Sequence, residues 1–525
     1  MKGEVAVKKI TGSMAGMLMS KKSKLTVKLD EITGVIDPKI YGHFIEHLGR
    51  CIYQGIWVGE DSKIPNIEGL RKDVIEALKA INPPVVRWPG GCFADAYHWR
   101  DGVGPRDQRP RRPNIWWGGE DSNEFGTDEF IRFCRSIGAE PYICLNVGSG
   151  SPEEALSWLE YCNYSGNSYY ARLRSKNGHP EPYKVKYWGV GNENWGCGGN
   201  FDPVYYAWEY RRFATYLKRA DPSIQLIACG HVSKDWNLKF MEAMRNHIAL
   251  LDHLSIHYYF GNPKFGGDIE FTDEEYLNLL LDVQNLEHQI QQTINIVDFF
   301  SKGRKNIGIV VDEWGVWHPQ ATVESGLYQQ NTLRDAILAG VVLNLFNRYS
   351  SKIVMANIAQ TVNVLQSLCL TRGERTILTP TYHVFNLYKH HMGNYALKVE
   401  IQSPIIREFQ REQEASWAPK RKLKPLQALD ASASLSKDGK TLILTLVNQS
   451  LYDDLDVEIR LAGNKKVEKG ELSILTAQNV REHNTFDYPS RVTPTEEPIN
   501  VRGKLLKYTA PKHSINRFIL TLSSN

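Results

Sequence analysis

The chain has 525 residues, of which 42% are hydrophobic and 23% are charged. This composition is typical of a globular protein and excludes a collagen-like, coiled-coil or wholly disordered chain. At roughly 150 residues per domain, the length predicts about two to four domains. The formal net charge of +4 is too small to predict a nucleic-acid or membrane partner.

The N-terminal segment, residues 1–23, is interpreted as a flexible leader. Its apolar run at 14–19 is short and lies between lysines, so it lacks the apolar length and cleavage site of a signal peptide. No apolar run in the sequence is long enough to cross a membrane. We therefore predict a cytoplasmic protein, with secretion left open as the alternative.

The eight cysteines are scattered along the chain and include no CxxC pair. The sequence therefore predicts neither a zinc site nor a redox motif. Dispersed thiols favour a reducing compartment, in agreement with a cytoplasmic location.

Residues 24–31 alternate apolar and polar side chains, and we assign 24–35 to a strand of the C-terminal β-domain. From residue 36 to 385, eight short apolar runs alternate with helical stretches. The predicted strands are 40–46, 85–88, 141–147, 185–191, 225–229, 253–259, 307–313 and 353–359. The predicted helices are 68–81, 127–138, 152–164, 203–219, 235–248, 273–302 and 329–348, with Thr127 and Ser151 expected at N-caps and Pro152 and Pro203 in first turns.

This alternation predicts an α/β fold, a (β/α)8 TIM barrel that spans residues 36–385. A doubly wound parallel sheet is the structural alternative. That fold would need a glycine-rich phosphate turn after its first strand, and GxGxxG is absent there.

Residues 386–525 are predicted to form a C-terminal all-β sandwich of jelly-roll type. The runs 442–448 and 456–462 are strand candidates, and the Asp-Gly turn within 436–440 predicts a hairpin. The stretch 477–513 is polar and is expected to be rich in loops. We favour a structural role for this domain over a carbohydrate-binding one, because the sequence shows no cluster of exposed aromatic residues there.

Active sites of (β/α)8 barrels lie at the carboxyl ends of the strands. Strand four ends in 187–196, which contains Glu193 between two asparagines, and strand seven ends in 310–317, which contains Glu313. Hydrolysis of a glycosidic bond needs two such carboxyl groups, one to protonate the leaving oxygen and one to attack the anomeric carbon or activate water. The sequence therefore predicts a glycosidase pair.

Further polar and aromatic residues are expected around this pair. Asn192 can donate a hydrogen bond to a sugar hydroxyl, His257 can hold the carboxyl group on strand four, and Tyr259 can orient the nucleophile. Strand one offers His43, Glu46 and His47, and strand eight ends at Gln360. The candidate walls for sugar stacking are Trp88, Trp99, Trp116, Trp117, Trp195 and Trp317.

In these segments the chain resembles the family 51 glycoside hydrolases, the α-L-arabinofuranosidases. The resemblance rests on GHFIEHLGR (42–50), VVRWPGG (85–91), WRDGVGPR (99–106), GVGNENWG (189–196), SIHYY (255–259), DEWGVW (312–317) and ANIAQTVNVLQ (356–366). It covers the whole predicted barrel and, by order, the C-terminal sandwich.

The resemblance implies a retaining, exo-acting α-L-arabinofuranosidase that removes non-reducing terminal α-L-arabinofuranosyl residues from arabinoxylan, arabinan or arabino-oligosaccharides. It implies Glu193 as acid/base and Glu313 as nucleophile, with carboxyl groups about 5–5.5 Å apart. It also implies that no metal or cofactor is needed and that the chain assembles as a homohexamer. The residues that would contact the sugar ring are Glu46, Asn192, His257, Tyr259 and Gln360.

One position departs from the family pattern. Many members carry Asn after the paired Gly90 and Gly91, whereas this chain carries Cys92. A thiol is a weak donor and a weak acceptor. Either Cys92 lines the sugar pocket as a less polar group, or Asp95 or a water molecule replaces the amide, and we keep Cys92 among the substrate-binding candidates.

Two other functions stay open. An endo-acting glucanase or xylanase on the same scaffold would need an open cleft in place of a closed pocket. A non-catalytic carbohydrate-binding protein would be favoured by the loss of either carboxylate, and both are present.

Overall fold

The computed structural model describes residues 22–261, 265–408, 423–499 and 501–523. Residues 1–21 of the predicted leader lie outside the described residues. Lys22 already belongs to the first strand, Lys22–Val35, so the strand expected at 24–35 begins two residues earlier.

Eight parallel strands close into a barrel, as the alternating pattern predicts, and the doubly wound sheet is excluded. Strand one lies beside strand eight, with His43 opposite Ile358, and strand four lies beside strand five, with Gly189 opposite Ile227. In chain order, barrel strands one to eight are Gly42–Phe44, Val85–Trp88, Glu140–Leu145, Tyr187–Val190, Gln225–Ala228, His253–Phe260, Gly308–Val316 and Ile353–Ala359.

Helices connect and cover these strands, and most match the predicted positions. The α-helices are Lys72–Ile81, Thr127–Ile137, Pro152–Asn163, Tyr169–Lys176, Pro203–Ala220, Lys234–Met244, Asp273–Leu281, Val283–Ser301, Leu333–Arg348 and Pro380–Tyr388. Short 3-10 helices lie at Pro38–Tyr41, Cys92–Ala96, Trp99–Gly102, Arg106–Gln108, Ile248–Leu250 and Lys389–His391. None of the helices in the described ranges is both long and apolar enough to cross a membrane.

The helix ends confirm one predicted N-cap and correct two other predictions. Ser151 is an N-cap as expected and accepts a hydrogen bond from the Glu154 backbone N–H. The expectation for Thr127 was wrong, because it is the first helical residue and Gly126 occupies the N-cap. The predicted helix 273–302 is two helices that meet at Asp282.

A layer of apolar side chains fills one end of the barrel interior. Its members come from six different strands, and all of them are buried: Val85, Tyr142, Tyr187, Ile227, Val310 and Met355. This layer closes the amino-terminal part of the barrel, so the opposite, carboxyl-terminal end is the one that can hold a polar site.

The C-terminal part is built on one continuous nine-stranded sheet. Residues from both halves of this sheet, such as Leu25, Leu444 and Leu506, share a single buried cluster, so the sheet folds over its own core as a sandwich does. From one edge to the other the strands are Thr495–Ile499, Val467–Leu475, Ser514–Leu522, Thr441–Asn448, Leu429–Leu435, Tyr395–Gln402, Lys22–Val35, Leu455–Ala462 and Leu505–Ala510.

Local sequence accounts for part of this sheet. The predicted hairpin is present, with Leu435 opposite Leu442 and the Asp438 carboxylate accepting a hydrogen bond from the Lys440 backbone in the turn. The stretch 477–513 holds two strands, so it is less loop-rich than expected. Small two-stranded ribbons complete the fold: Asn66–Ile67 with Leu70–Arg71, Arg112–Pro113 with Glu120–Asp121, Cys369–Arg372 with Arg375–Leu378, and Ile405–Arg407 with Leu426–Gln427.

A buried polar cluster joins the barrel to the sheet. The Asn344 side chain, on helix Leu333–Arg348, accepts hydrogen bonds from the hydroxyls of Ser432, Thr445 and Tyr388. It also donates to Asp430 at 2.8 Å. Because Asn344, Ser432, Thr445 and Tyr388 are all buried, the two parts of the chain are bound to each other by specific contacts removed from water.

Candidate active site

The two predicted carboxyl groups lie at the same end of the barrel. Glu193 follows the fourth strand in a left-handed backbone conformation, with φ of +42°. This conformation costs a non-glycine residue about 1–2 kcal/mol, and such cost is concentrated at functional sites. Glu313 lies within the seventh strand and is 5% exposed.

A bulge in the seventh strand turns Glu313 into the barrel. The pairing register shifts between Ile256 and His257 on one side and between Val311 and Trp314 on the other. An extra residue in a strand re-aims the side chains around it. As a result, Asp312 and Glu313, although adjacent, both contact the same buried arginine inside the barrel.

The two carboxyl groups are close enough to act on one bond. A carboxylate oxygen of Glu193, one of Glu313 and a ring nitrogen of His257 all lie within 4.8 Å of one another. His257 Nδ1 is 3.0 Å from Glu193 Oε1 and 3.6 Å from Glu313 Oε2. The imidazole therefore touches both acids.

Glu313 is held as a carboxylate. Burial alone would raise its pKa, but the nearby charges of His257 and Arg87 and the hydrogen bonds from Tyr259 and Arg87 outweigh burial and lower the pKa. Tyr259 donates its hydroxyl to Glu313 Oε2 at 2.6 Å, and Arg87 Nη1 donates to Oε1 at 2.7 Å. Glu313 and Glu193 in turn raise the pKa of His257, against the effect of its burial.

Arg87 is a site residue that the sequence reasoning missed. It ends up fully buried on the second barrel strand, and its Nη2 donates to Asn192 Oδ1 at 2.5 Å. One guanidinium thus fixes the nucleophile candidate and the neighbouring amide together. An arginine inside the apolar run 85–88 was the available signal, because a charged side chain in a buried strand needs partners.

Asn192 is oriented from two sides. Its side-chain oxygen is occupied by Arg87, so its Nδ2 group is the part left to donate to a ligand. Its backbone N–H donates to Asp95 Oδ2 at 2.8 Å. Asp95 Oδ1 accepts from Val147 and Gly148 as well, so this carboxylate is engaged with backbone groups and is not free to replace the family's asparagine.

The opposite wall of the pocket is built around Glu46. Its oxygens accept hydrogen bonds from the Trp117 indole, the Phe93 backbone and the Gln360 amide, at 3.0, 3.1 and 3.1 Å. Burial and the charge of Glu313 raise the Glu46 pKa to about 7, although these hydrogen bonds oppose the rise. Glu46 therefore changes its protonation state near neutral pH.

Glycine at position 91 lets the two acids approach the same loop. A Cβ atom there would lie 3.1 Å from Glu313 Oε1 and 3.3 Å from Glu46 Oε2. Any side chain would fill the space next to both carboxylates. The Gly90–Gly91 pair is thus part of the shape of the pocket.

Comparisons with known proteins agree with this geometry. A family model described as "Alpha-L-arabinofuranosidase 1 domain" matches residues 77–276, and one described as "Alpha-L-arabinofuranosidase C-terminal domain" matches residues 312–514. An intracellular exo-α-L-arabinofuranosidase from Bacteroides ovatus is 40% identical over 504 residues, which cover 94% of this chain and 95% of that protein. The chain belongs to the family 51 α-L-arabinofuranosidases.

Solved structures of this family share the whole architecture. The family 51 arabinofuranosidase from Xanthomonas axonopodis pv. citri has a TM-score of 0.87 at 38% identity, covering 95% of this chain and 100% of that one. An α-L-arabinofuranosidase from Thermotoga maritima, in a complex with arabinose, gives 0.85 at 38% identity with the same coverage. Both the barrel and the C-terminal sheet are therefore family features.

The expectation of a free thiol at Cys92 was wrong. Cys92 forms a disulfide with Cys197, a residue 105 positions away, and the two Cα atoms are 5.5 Å apart. Sequence spacing gave no sign of the pair, because the loops after the second and fourth strands bring the two residues together at one end of the barrel. The other cysteines in the described ranges are buried and free: Cys51, Cys134, Cys144, Cys162, Cys229 and Cys369.

Several of the sequence-predicted residues of the arabinofuranosidase site lie elsewhere. His43 is buried beside Phe385, and burial lowers its pKa to about 3. His47 is fixed between Asp121 and the Trp88 indole. Both histidines belong to the protein core and not to the pocket.

The tryptophans divide in the same way. Trp88 and Trp99 are fully buried core residues and form no wall of the pocket. Trp116 is exposed and Trp195 is half-buried. Trp117 donates to Glu46, and the Trp317 ring lies edge-on to Tyr259 with centroids 5.3 Å apart, so these two tryptophans lie beside candidate pocket residues.

Within the described ranges, two overlapping groups of side chains have metal-ligand spacing, although the two cysteines of one group are joined in the disulfide. The ligand atoms in each group lie within 4.8 Å of one another, and both groups contain Glu193. One combines Glu193 with His257 and Glu313, and the other combines it with Cys92 and Cys197.

Proposed function

We propose that this chain is a retaining, exo-acting α-L-arabinofuranosidase in which Glu313 is the nucleophile and Glu193 the acid/base. The observation that carries the proposal is the separation of the two carboxyl groups, whose oxygens approach within 4.8 Å. Retaining enzymes place them about 5–5.5 Å apart, whereas inverting enzymes need about 6.5–9.5 Å to admit a water molecule. The short distance favours direct attack by Glu313.

In the first step, the Glu313 carboxylate attacks the anomeric carbon of the arabinofuranosyl ring while the glycosidic bond to the leaving oxygen breaks. The lowered pKa of Glu313 supplies the ionised nucleophile, and Tyr259 and Arg87 fix its two oxygens. Glu193 donates its proton to the leaving oxygen, and the sugar stays esterified to Glu313.

In the second step, water cleaves this ester. Glu193, now ionised, accepts a proton from the water, and Glu313 is released as a carboxylate. Since the ester carries no charge, the negative field that Glu313 imposes on its neighbours is removed for this step. His257, which touches both carboxyl groups, keeps Glu193 directed at the same point in both steps.

We further propose that Glu46, Asn192, His257, Tyr259 and Gln360 contact the sugar ring. Glu46 and Gln360 lie together on one wall, and the Asn192 Nδ2 group lies beside the catalytic pair. The disulfide sulfur of Cys92 would contribute an apolar surface to the pocket and no hydrogen-bond donor. The substrates proposed are terminal α-L-arabinofuranosyl groups of arabinoxylan, arabinan and arabino-oligosaccharides. Action on terminal groups follows the Bacteroides ovatus relative, which is named as an exo-α-L-arabinofuranosidase and spans nearly the whole chain, and the polymers follow the resemblance to family 51.

The test of the catalytic roles uses azide and two variants on aryl α-L-arabinofuranosides. Glu193→Ala should keep a near-normal kcat/KM for a dinitrophenyl substrate and lose about 10²- to 10⁴-fold in kcat/KM on a poor leaving group. Its kcat should fall with both substrates, because hydrolysis of the glycosyl ester has lost its general base. Azide should then give the α-azide, formed through two inversions. Glu313→Ala should lose nearly all activity, and azide should give the β-azide by a single inversion.

The control is Glu76→Ala, an exposed glutamate on helix Lys72–Ile81, which should behave as wild type. Ordinary activity in Glu313→Ala, or the same azide anomer from both variants, would contradict the assignment. Linkage-defined arabino-oligosaccharides then give the bond preference. Internal cleavage of a glucan or xylan chain with no release of arabinose would favour the endo-acting alternative.

We propose a cytoplasmic location, following the relative described as intracellular. Cell fractionation of the source organism, with activity measured in each fraction, tests it. Activity recovered mainly outside the cell would overturn this location.

We also propose a homo-oligomer, with six copies as the expected number. Helix Pro203–Ala220 exposes Tyr205, Trp208 and Tyr216, and large exposed aromatic groups favour protein contacts. Light scattering during gel filtration gives the mass of the assembly. Trp208→Asp should reduce the mass if this helix lies in a contact, and a monomeric wild type would contradict the proposal.

A further inference from the structure

The Cys92–Cys197 disulfide forms part of the pocket wall and is open to solvent. Both residues are partly exposed, whereas the free cysteines in the described ranges are all buried. A soluble reductant can therefore reach this bond without unfolding the barrel. The six buried thiols are protected from the same reagents.

The sulfur atoms lie beside the acid/base candidate. Cys197 Sγ is 3.7 Å from Glu193 Oε2 and 3.8 Å from Asn192 Nδ2. The sulfurs of Cys92 and Cys197 and an oxygen of Glu193 lie within 4.8 Å of one another. Two sulfurs and a carboxylate at this spacing are a ligand set for a soft or borderline cation.

We propose that reduction of the Cys92–Cys197 disulfide creates a metal site in which two thiolates and the Glu193 carboxylate bind Zn²⁺ or Cd²⁺. Zinc–sulfur bonds of about 2.3 Å place the two sulfurs of a tetrahedral site about 3.8 Å apart. Cα atoms at 5.5 Å can present their sulfurs at this separation after side-chain rotation. Water fills the fourth position.

The chemistry balances with a dithiol or a phosphine as the reductant. The disulfide takes up two electrons and two protons and gives two thiols. A dithiol supplies both and becomes a disulfide, whereas a phosphine supplies the electrons and becomes its oxide with the oxygen atom and the protons taken from water. Each thiol then releases a proton when it binds the cation. In the oxidised protein the sulfurs are poor ligands, so the disulfide keeps such cations away from Glu193.

Metal binding has a direct consequence for the proposed reaction. A cation held by Glu193 prevents that carboxyl group from carrying the proton to the leaving oxygen, so the reduced enzyme becomes sensitive to Zn²⁺ and Cd²⁺. This loss of activity rests on the proposed function of Glu193. Binding of the metal does not, so the two can fail separately.

The second cation group, Glu193 with His257 and Glu313, provides the competing outcome. It contains no sulfur and exists in both redox states. A metal bound there would inhibit the oxidised and the reduced enzyme alike. The redox dependence of binding therefore separates the two sites.

The experiment compares the oxidised protein with protein reduced by a phosphine and desalted without oxygen. Thiol titration should show two additional reactive thiols after reduction. Equilibrium dialysis with Cd²⁺ should then give one added ion per chain, with the ultraviolet absorption band of cadmium–thiolate bonds. Activity should fall at least tenfold at a Cd²⁺ concentration that leaves the oxidised enzyme unchanged, and a chelator should restore it.

Three variants complete the test. Cys134→Ala, a buried cysteine on an outer helix, should behave as wild type. The double variant Cys92→Ser with Cys197→Ser should lose the thiolate band and the redox-dependent binding. Glu193→Gln should keep the band and bind Cd²⁺ at least tenfold more weakly.

Four results would overturn the proposal: no additional thiols under native reducing conditions, no thiolate band with Cd²⁺, equal binding in both redox states, or unchanged affinity in Glu193→Gln. If Cd²⁺ binds as described but leaves activity unchanged, the metal site stands and the acid/base role of Glu193 falls.

Discussion

Glu46 is a pocket residue whose protonation depends on its burial and on the charge of Glu313. Its pKa in the folded protein is about 7, against an ordinary value of 4.5. Between these two values the unfolded chain has released the proton and the folded chain keeps it. The free energy of unfolding therefore falls as pH rises through this window.

Glu46→Gln should remove this pH dependence. Relative to wild type, the variant should gain roughly 3 kcal/mol of stability between pH 4.5 and pH 8, at about 1.36 kcal/mol per pKa unit. Urea unfolding curves of both proteins, measured across this range, give the difference. Parallel pH profiles of stability would contradict the buried, shifted carboxyl group.

Arg87 should control the ionisation of Glu313, the proposed nucleophile. Its charge and its hydrogen bond lower the pKa of Glu313, so the acidic limb of the kcat/KM profile should move to higher pH in Arg87→Met. We also expect kcat/KM to fall about 100-fold, because Glu313 and Asn192 both lose the hydrogen bond that Arg87 donates to them. Arg87→Lys should shift the limb less, since it keeps the charge. An unmoved limb in both variants would assign Arg87 a purely structural role.

At this scale the sequence shows residue types but not their partners. Glu193 and Glu313 could be selected because each comes after an apolar run in the sequence. Arg87 lies in the middle of such a run, and its contacts depend on strands that are distant along the chain. The Cys92–Cys197 pair was missed for the same reason, because its two loops meet only after the barrel closes.

Among the elements, the loops at the mouth of the barrel depend on Asp95. Its carboxylate accepts hydrogen bonds from the Val147, Gly148 and Asn192 backbones, which belong to the loops after strands three and four. Asp95→Ala should destabilise the protein by about 3 kcal/mol or more, because buried donors without partners cost about 1–3 kcal/mol each. It should also lower kcat, since Asn192 moves. Thermal unfolding and kinetics measure both effects.

A matched aspartate provides the control. Asp202 caps helix Pro203–Ala220 through the backbone N–H groups of Val204 and Tyr205. Asp202→Ala should cost about 1 kcal/mol and leave kcat unchanged. Equal effects of the two variants on kcat would show that Asp95 has no specific role at the site.

Elements could be predicted where their periodicity is local and strong. The second and eighth barrel strands begin and end where predicted, since both are short apolar runs with clear ends. The break at Asp282 and the bulge at Glu313 have no comparable local sign. Both depend on how neighbouring elements pack, and the bulge is what directs the Glu313 side chain into the barrel.

For the whole molecule, the contact between barrel and sheet should make unfolding cooperative. Asn344→Ala removes an acceptor shared by three hydroxyl groups, so we expect a loss of about 3 kcal/mol, in a single thermal transition for both parts. Calorimetry measures this. Asn479→Ala, at an exposed position, should cost no more than about 1 kcal/mol. Two separate transitions in wild type would contradict the coupling.

The architecture at this scale was only partly accessible from sequence. Eight alternating units indicate a barrel, because few other folds repeat strand and helix in this way. The order of strands in the nine-stranded sheet carries no such signature. The predicted strand 24–35 does lie in this sheet, as part of Lys22–Val35, but its position between Tyr395–Gln402 and Leu455–Ala462 follows from tertiary packing alone.

That position of Lys22–Val35 affects how the protein is made. The strand emerges from the ribosome before any part of the barrel, yet both of its hydrogen-bonding neighbours are synthesised after the barrel is complete. During translation its apolar side chains, including Leu25 and Val27, stay unburied until the strands that cover them are synthesised. Chaperones that bind short extended apolar segments would have this strand as a target until Tyr395–Gln402 and Leu455–Ala462 are synthesised, and its release would mark the end of assembly.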